Sequence, residues 1–458
     1  MSTPSIILHL GLGSFHRAHQ AVYLQNLHDQ GHQDWVLAGA NIRPDMRAVE
    51  TALTTQHGAY HLETVTPAGE RTYQEIRSIR HVIPWDEKLA GLIAFGSRPD
   101  VKIISFTVTE AGYYLTPQHV LDLNFPDLVS DLENGTMLTI YGALSAILHA
   151  RMAAQAGPVT LLSCDNLRSN GERFHDGFME FLRRRKDEAL LAWLETNSTT
   201  PSSMVDRITP RPLPEVAERV RDACGVEDAC PVMAEDFIQW VIEDRFAAGR
   251  PGWETVGAEL VQSVLPYEEA KIRLLNAAHA LIAWAGTLRG YLFIHEGTLD
   301  EDIRAFSYNY VTDDVLPVLE PSPINLAAYR DKVLERFSNA YIRDTNQRVA
   351  ADGYSKIPGW ITPTIRERFA RGETIDSVAI IPVLFFVFLQ RWAAGQIPFT
   401  YQDQAMDETQ VRAMLATPAP LAAFCRDQVL WGDLAGDARL EAAITSAHTR
   451  VLAWLGEH

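Results

Sequence analysis

Short apolar runs alternate with stretches of helical spacing through the first half of the chain. "SIILHL" is an apolar run that stops at Gly11 and predicts a buried strand. "FHRAHQAVYLQNLHDQG" has helical spacing, with Ala18, Val22 and Leu27 on one side and Gly31 as its stop. "WVLAGANI", "VKIISFTV" and "PVTLLS" predict further strands, and "LTIYGALSAILHARMAA" a helix. "YHLETVTPAGERTYQEI" predicts a hairpin about Pro67-Ala68-Gly69. Strands alternating with helices predict a largely parallel sheet with helices on both faces. From Glu268 onward the alternation gives way to helical spacing, beginning with "EEAKIRLLNAAHALIAWAGTL". "VAIIPVLFFVFL" predicts a buried helix, because it is too short to span a bilayer and contains Pro382.

The first strand leads into Gly11 and Gly13, the start of a G-x-G-x-x-G fingerprint whose third position holds His16. A strand, a tight glycine turn and a helix make a phosphate site, because the turn lets backbone N–H groups approach an anion. The third glycine normally allows close helix–strand packing, so His16 predicts a helix that stands off or tilts. Arg17 is placed to reach a phosphate directly. At the end of the second strand the usual acidic ribose reader is replaced by Asn41. Asn41 or Asp45 bonding the ribose hydroxyls would favour NAD, and Arg43 accepting a 2′-phosphate would favour NADP; both stay open. The expected fold class is therefore α/β. It consists of an N-terminal Rossmann-like dinucleotide-binding domain over residues 1–262 and a mostly α-helical substrate-binding and catalytic domain over 263–458.

"PYEEAKIRLLNAAHA" holds the densest chemistry. At roughly 100° per residue, Lys271, Asn276 and His279 fall at about 0°, 140° and 80°, within one arc of one helix. Polar groups on the buried side of so apolar a helix need partners or a purpose. A partly buried lysine loses its charge more readily and can act as a general base. An asparagine amide can donate to a developing alkoxide, and a neutral histidine can orient a hydroxyl. The alternatives are a polar network with Lys271 paired to Glu268, or a Schiff-base lysine.

Composition narrows the partners. The chain has 458 residues, 47% hydrophobic and 21% charged, enough for a large core. A net charge of −18 disfavours nucleic acid. Cys164, Cys224, Cys230 and Cys425 show no zinc-ligand spacing, so no metal is expected. So few cysteines read as reduced thiols of a cytoplasmic protein. No basic leader precedes the first strand, so neither a signal peptide nor a membrane partner is expected.

Six motifs in order, "GLGSFHRAHQAVYL", "FTVTEAGYY", "CDNLRSNG", "MVDRITPRP", "PYEEAKIRLLNAAH" and "DTNQRVAADGYSKIP", resemble those of the polyol-specific long-chain dehydrogenases, the mannitol dehydrogenase family. The resemblance covers nearly the whole chain. It implies a metal-free, NAD-dependent enzyme (NADP being possible) that interconverts a secondary alcohol and a ketone. The implied partner is a small polyol or ketose, and the implied assembly a monomer. In that family the G-x-G-x-F-H-R-A-H loop binds the cofactor, which carries over to Gly11, Gly13, Phe15, His16 and Arg17. In the family Thr109 and Glu110 lie beside the cofactor, and Asn41 joins them as the strand-end candidate named above. The family's base falls on Lys271, its carbonyl-polarising asparagines on Asn166 and Asn276, and its helix histidine on His279. Asp206, Arg348 and Lys356 match substrate-contacting positions; Glu268, one turn before Lys271, is placed to tune its pKa or to relay protons to water. The loop "DGYSKIP", with Tyr354 and Ile357, departs from the "DGSSKFP" of many mannitol enzymes. On size it suits a five-carbon polyol, D-arabinitol giving D-xylulose. D-mannitol, or a sugar acid such as fructuronate or tagaturonate, is the alternative substrate.

Overall fold

The computed structural model describes residues 3–116 and 119–457. Its contacts divide the chain into two units, one built from residues up to Thr66 with Glu70–Leu265, the other from Pro67–Gly69 with Pro266 onward.

The first unit is organised by a six-stranded sheet. In spatial order its strands are Ile79–Val82, Trp35–Ala40, Ser5–Leu10, Val101–Phe106, Val159–Ser163 and Ser198–Thr199, all parallel. The chain first builds outward on one side of Ser5–Leu10, then returns to build on the other. The switch point between Ser5–Leu10 and Val101–Phe106 leaves a crevice at the carboxyl ends of the strands, where ligands of such sheets bind. Both faces are covered, so the strands are continuous apolar runs, and Leu8, Ala38, Ile104 and Leu162 are fully buried. The expected hairpin forms, with Tyr60–Val65 antiparallel to Arg71–Ile76. It lies outside the main sheet, pairing instead with Val232–Glu235. A third small sheet joins Ser203–Asp206, Gln239–Glu243 and Glu259–Val261.

One expected helix is two. Ser14–Ala18 and Gln20–Asp29 are separated at His19 (φ −129°, ψ −87°), whose ring reaches the carbonyl of Gln239 at 2.8 Å. His16 is fully buried, and its ring stacks on that of His9 in the first strand, centroids 3.5 Å apart. Where a third glycine would let helix and strand touch, an imidazole fills the gap.

The amino-terminal edge of the sheet is held by Arg151, which is fully buried on the helix Ile140–Ala153. Its guanidinium donates to the carbonyls of Gly96, Arg98, Ala156, Gly157 and Pro158. These segments feed the strands Val101–Phe106 and Val159–Ser163. Burial pushes the Arg151 pKa down to about 10, so it stays charged at neutral pH.

The second unit is helical, and three of its helical runs contain π turns: Lys271–Asn276, Tyr310–Val315 and Ile357–Ile361. The apolar run foreseen as a buried helix forms Ile380–Ala393, with Ile380 through Leu389 all buried. Among the described residues no helix is long and apolar enough to cross a membrane.

Arg151→Met should leave those five carbonyls without their donor and lower stability by about 3–5 kcal/mol. Urea unfolding monitored by tryptophan fluorescence measures this. A loss within the scatter of a surface substitution would contradict the role given to Arg151.

Candidate active site

In the first unit the candidate residues gather at the carboxyl ends of the central strands. Gly11 has φ +114°, and a Cβ there would lie 2.5 Å from the Thr107 carbonyl oxygen, so only glycine fits. Its N–H donates to Ala40 and its carbonyl accepts from the Thr107 hydroxyl, which ties the loop to both flanking strands. Gly13 faces open space, with nothing within 4 Å of an added Cβ. That space and the buried His16 Nε2, which has no hydrogen-bond partner, fit a loop built to take a dinucleotide's phosphates. Phe15 stacks on His19 at 5.0 Å.

Two expected cofactor contacts are directed elsewhere. Arg17 is buried and its guanidinium donates to the carbonyls of Leu12 and Cys230 beside the Tyr60 ring. It braces the loop from inside and does not extend toward a phosphate. Asn41 accepts from the Leu12 N–H at 2.9 Å and donates to Glu50 at 2.6 Å. With both ends of its amide engaged, Asn41 shapes the glycine loop, and Asp45, the other acceptor named at this strand end, is exposed.

Thr109 sits at φ +65°, a costly conformation for a β-branched residue. The structure holds it there with Asp165, whose buried carboxylate accepts from the N–H groups of Val108 and Thr109 and from the Tyr113 hydroxyl. Burial pushes the Asp165 carboxyl up to about 6, against those same donors, which favour its charged form. Asp165 thereby couples the segment Thr109–Glu110 to Asn166, the next residue along and exposed at the strand end. Asp206 is buried at the end of its own strand, Ser203–Asp206, in the third sheet.

In the second unit Glu268, Lys271, Asn276 and His279 lie on one continuous helical run, and Glu268 and Lys271 are buried. The π turn changes the angles expected for an α-helix. Its i→i+5 closure brings Lys271 and Asn276 toward one line along the helix, where α geometry would have splayed them. The carbonyl of Arg273, inside this turn, accepts from the hydroxyl of fully buried Tyr310 at 2.9 Å. On the outside, Arg273 is clamped by Glu269 and Glu367, each at 2.8 Å.

His279 stacks on Phe337 at 4.3 Å, and burial lowers its pKa, so it is neutral at neutral pH. Its Nε2 lies 3.1 Å from Asp344, within ion-pair distance but off hydrogen-bond alignment. Asp344 also takes a two-pronged contact from Arg348. Burial alone would raise the Asp344 carboxyl, but His279 and Arg348 outweigh it and hold it well below the usual carboxylate range. Lys356 donates to the Val349 carbonyl at 2.6 Å, and burial pushes its pKa down to about 8, opposed by Asp352.

Asp165, Asp344 and Tyr310 escaped the reading of the sequence. Two of them had a signal: Asp165 directly precedes Asn166, and Asp344 stands one helical turn before Arg348. Tyr310 had none. Tyr354 is not where the size expectation placed it. Its ring packs against Phe385 and its hydroxyl donates to Asp427, so its bulk is spent inside the unit. Among the described residues no group of three or more His, Cys, Asp or Glu side chains is placed to hold a metal ion.

A glycine loop at the switch point of a parallel sheet and a lysine-bearing helical unit define the class of a two-domain, dinucleotide-dependent oxidoreductase. Residues 5–255 match the mannitol dehydrogenase Rossmann domain and residues 263–452 the mannitol dehydrogenase C-terminal domain. The chain belongs to the mannitol dehydrogenase family. It is 56% identical to a D-arabinitol 4-dehydrogenase of Ralstonia nicotianae, over 98% of this chain and 97% of that one. It is 35% identical to a mannitol 2-dehydrogenase of Cereibacter sphaeroides, over 97% and 93%. The solved ternary complex of Pseudomonas fluorescens mannitol 2-dehydrogenase with NAD and D-mannitol superposes with a TM-score of 0.84 at 31% identity, covering 98% of this chain and 92% of that one.

Tyr310→Phe should leave the Arg273 carbonyl short of a donor, cost about 1–3 kcal/mol and slow dehydrogenase turnover roughly 10- to 100-fold through misplacement of the π turn. Steady-state kinetics beside urea unfolding reads both. Unchanged turnover in a destabilised variant would limit Tyr310 to a structural role.

Proposed function

We propose that the chain is an NAD-dependent polyol dehydrogenase that oxidises a secondary hydroxyl of D-arabinitol to give D-xylulose, with Lys271 as general base. The observation that carries this reading is the buried lysine on a π turn with Asn276 and His279, in a chain 56% identical over nearly its full length to a D-arabinitol 4-dehydrogenase. The choice of NAD is supported by the family's solved complex with NAD and by the pairing of Arg43, the first arginine after the second strand, with Asp127.

Gly11, Gly13 and the loop braced by Asn41 and Arg17 hold the dinucleotide, with Thr109 and Glu110 beside it. NAD, when bound, supplies the acceptor for the hydride leaving the alcohol carbon. The neutral amine of Lys271 takes the hydroxyl proton. The amides of Asn166 and Asn276 donate to the oxygen as negative charge develops on it, a stabilisation that fixed dipoles provide without reorganising. His279, beside Asp344 and stacked on Phe337, orients the neighbouring hydroxyl, and Arg348, Lys356 and Asp206 bind those further along. Glu268, one turn before Lys271, passes the proton to water. Fixing the alcohol between a base and two amide donors is chiefly an orientation effect.

Lys271→Ala should lower turnover roughly 10²- to 10⁴-fold while NAD still binds, as read by quenching of tryptophan fluorescence. A variant that stays active across the pH range would exclude Lys271 as the base. Initial rates with NAD and NADP on D-arabinitol, D-mannitol, D-sorbitol and xylitol should be highest for D-arabinitol with NAD. Turnover confined to fructuronate or tagaturonate in the reverse direction would move the protein to the sugar-acid branch.

A further inference from the structure

In dinucleotide-binding sheets the residues just after the second strand face the adenosine ribose and decide whether a 2′-phosphate is tolerated. Here that segment is Asn41, Ile42, Arg43, Pro44 and Asp45. Asn41 is engaged with Leu12 and Glu50, as described above. Arg47, the next cation, lies over the Trp85 ring at 4.9 Å. Arg43 by itself would make a receptor for a phosphate, since a guanidinium matches phosphate geometry and keeps its charge.

Arg43 is not by itself. Its Nη2 donates to Asp127 Oδ2 at 2.7 Å and to the Tyr114 hydroxyl at 2.7 Å, and reaches the Leu138 carbonyl at 3.3 Å. Tyr114, Asp127 and Leu138 all follow the strand Val101–Phe106, whereas Arg43 follows Trp35–Ala40. Those two strands flank Ser5–Leu10 on opposite sides. The arginine therefore bridges the two edges of the crevice at whose centre the glycine loop stands.

We propose that Asp127, acting through Arg43, selects a dinucleotide that lacks a 2′-phosphate. The carboxylate takes the guanidinium's Nη2, which a phosphate would also seek, and offsets its charge. A 2′-phosphate would have to displace Asp127 or lie against it, and either is unfavourable for two anions at contact distance. A ribose with a free 2′-hydroxyl meets no such penalty, and Asp45, exposed on the turn Pro44–Met46, is at hand to accept from it. Asp127 is a positioning residue in this scheme, 84 positions along the chain from the arginine it controls. The proposal rests on the reading that this end of the sheet holds a dinucleotide.

Calorimetry with ADP-ribose and 2′-phospho-ADP-ribose tests it on the full chain without any turnover. The wild type should bind ADP-ribose in preference. Asp127→Asn should shift the ratio of the two affinities toward the 2′-phospho ligand about tenfold. Arg43→Gln in the Asp127→Asn background should abolish that shift, which a general loss of negative charge or a loosened fold would not explain. Asp127→Ser, also suited to a first helical turn, repeats the measurement should the asparagine variant fold poorly. An unchanged ratio in Asp127→Asn, with ADP-ribose still bound by the wild type, overturns the selection and leaves the nucleotide site standing. A shift that persists without Arg43 also overturns it. No binding of ADP-ribose by the wild type removes the nucleotide-site reading and the selection with it.

Discussion

The contact of Gly11 with Thr107 is the constraint from which the first unit's chemistry follows. At the switch point two parallel strands end side by side, and their continuing chains leave in opposite directions. The backbone of Gly11 passes so close to the Thr107 carbonyl that no side chain fits between them. Beyond that contact the loop runs on to Gly13, and the segment after Val101–Phe106 reaches Thr109 with a positive φ. Asp165 meets the cost of that conformation with hydrogen bonds to two successive amides, and the residue after it is Asn166. The glycine turn, the strained Thr109 and the exposed Asn166 thus gather near one close approach, while Arg151 ties down the opposite edge of the sheet.

The second unit solves a different problem, which is how to keep a lysine, an asparagine and a histidine inside an apolar helix. A regular α-helix would place Lys271 and Asn276 well apart around the axis. The π turn corrects this at the expense of regular hydrogen bonding, and the Arg273 carbonyl is satisfied from outside by Tyr310, which itself begins a second π turn. Arg273 locks the outer face through Glu269 and Glu367. Beyond the turn, Asp344 links His279 to Arg348, so a ring that burial keeps neutral sits beside a carboxylate held charged.

Much of this was legible without coordinates where the signal is local. Short apolar runs, the first ending at Gly11, marked the central strands, and the run after Pro266 marked the lysine helix. The order of six motifs pointed to the family. Legibility failed where one residue type can serve two masters. Arg17 and Asn41 have the chemistry of cofactor ligands, but the structure spends both on the inner side of the glycine loop. Tyr354 has the bulk to narrow a substrate pocket and instead packs on Phe385. Helical spacing could not reveal the break at His19 either, because it depends on the Gln239 carbonyl far along the chain.

The sequence by itself determined the strand and helix periodicities, the glycine loop and the set of side chains able to perform proton and hydride chemistry, because those depend on residue type and near neighbours. Tertiary structure alone decided which polar groups remain available for that chemistry. Arg43 is paired with Asp127, the backbone of Thr109 is held by Asp165, and the π turn that carries Lys271 and Asn276 has its Arg273 carbonyl satisfied by Tyr310. Each of these is a hydrogen bond or ion pair between segments far apart in the chain; Arg43 and Asp127 meet at the surface, whereas around Asp165 and Tyr310 burial has stripped away the water that would otherwise compete for both partners.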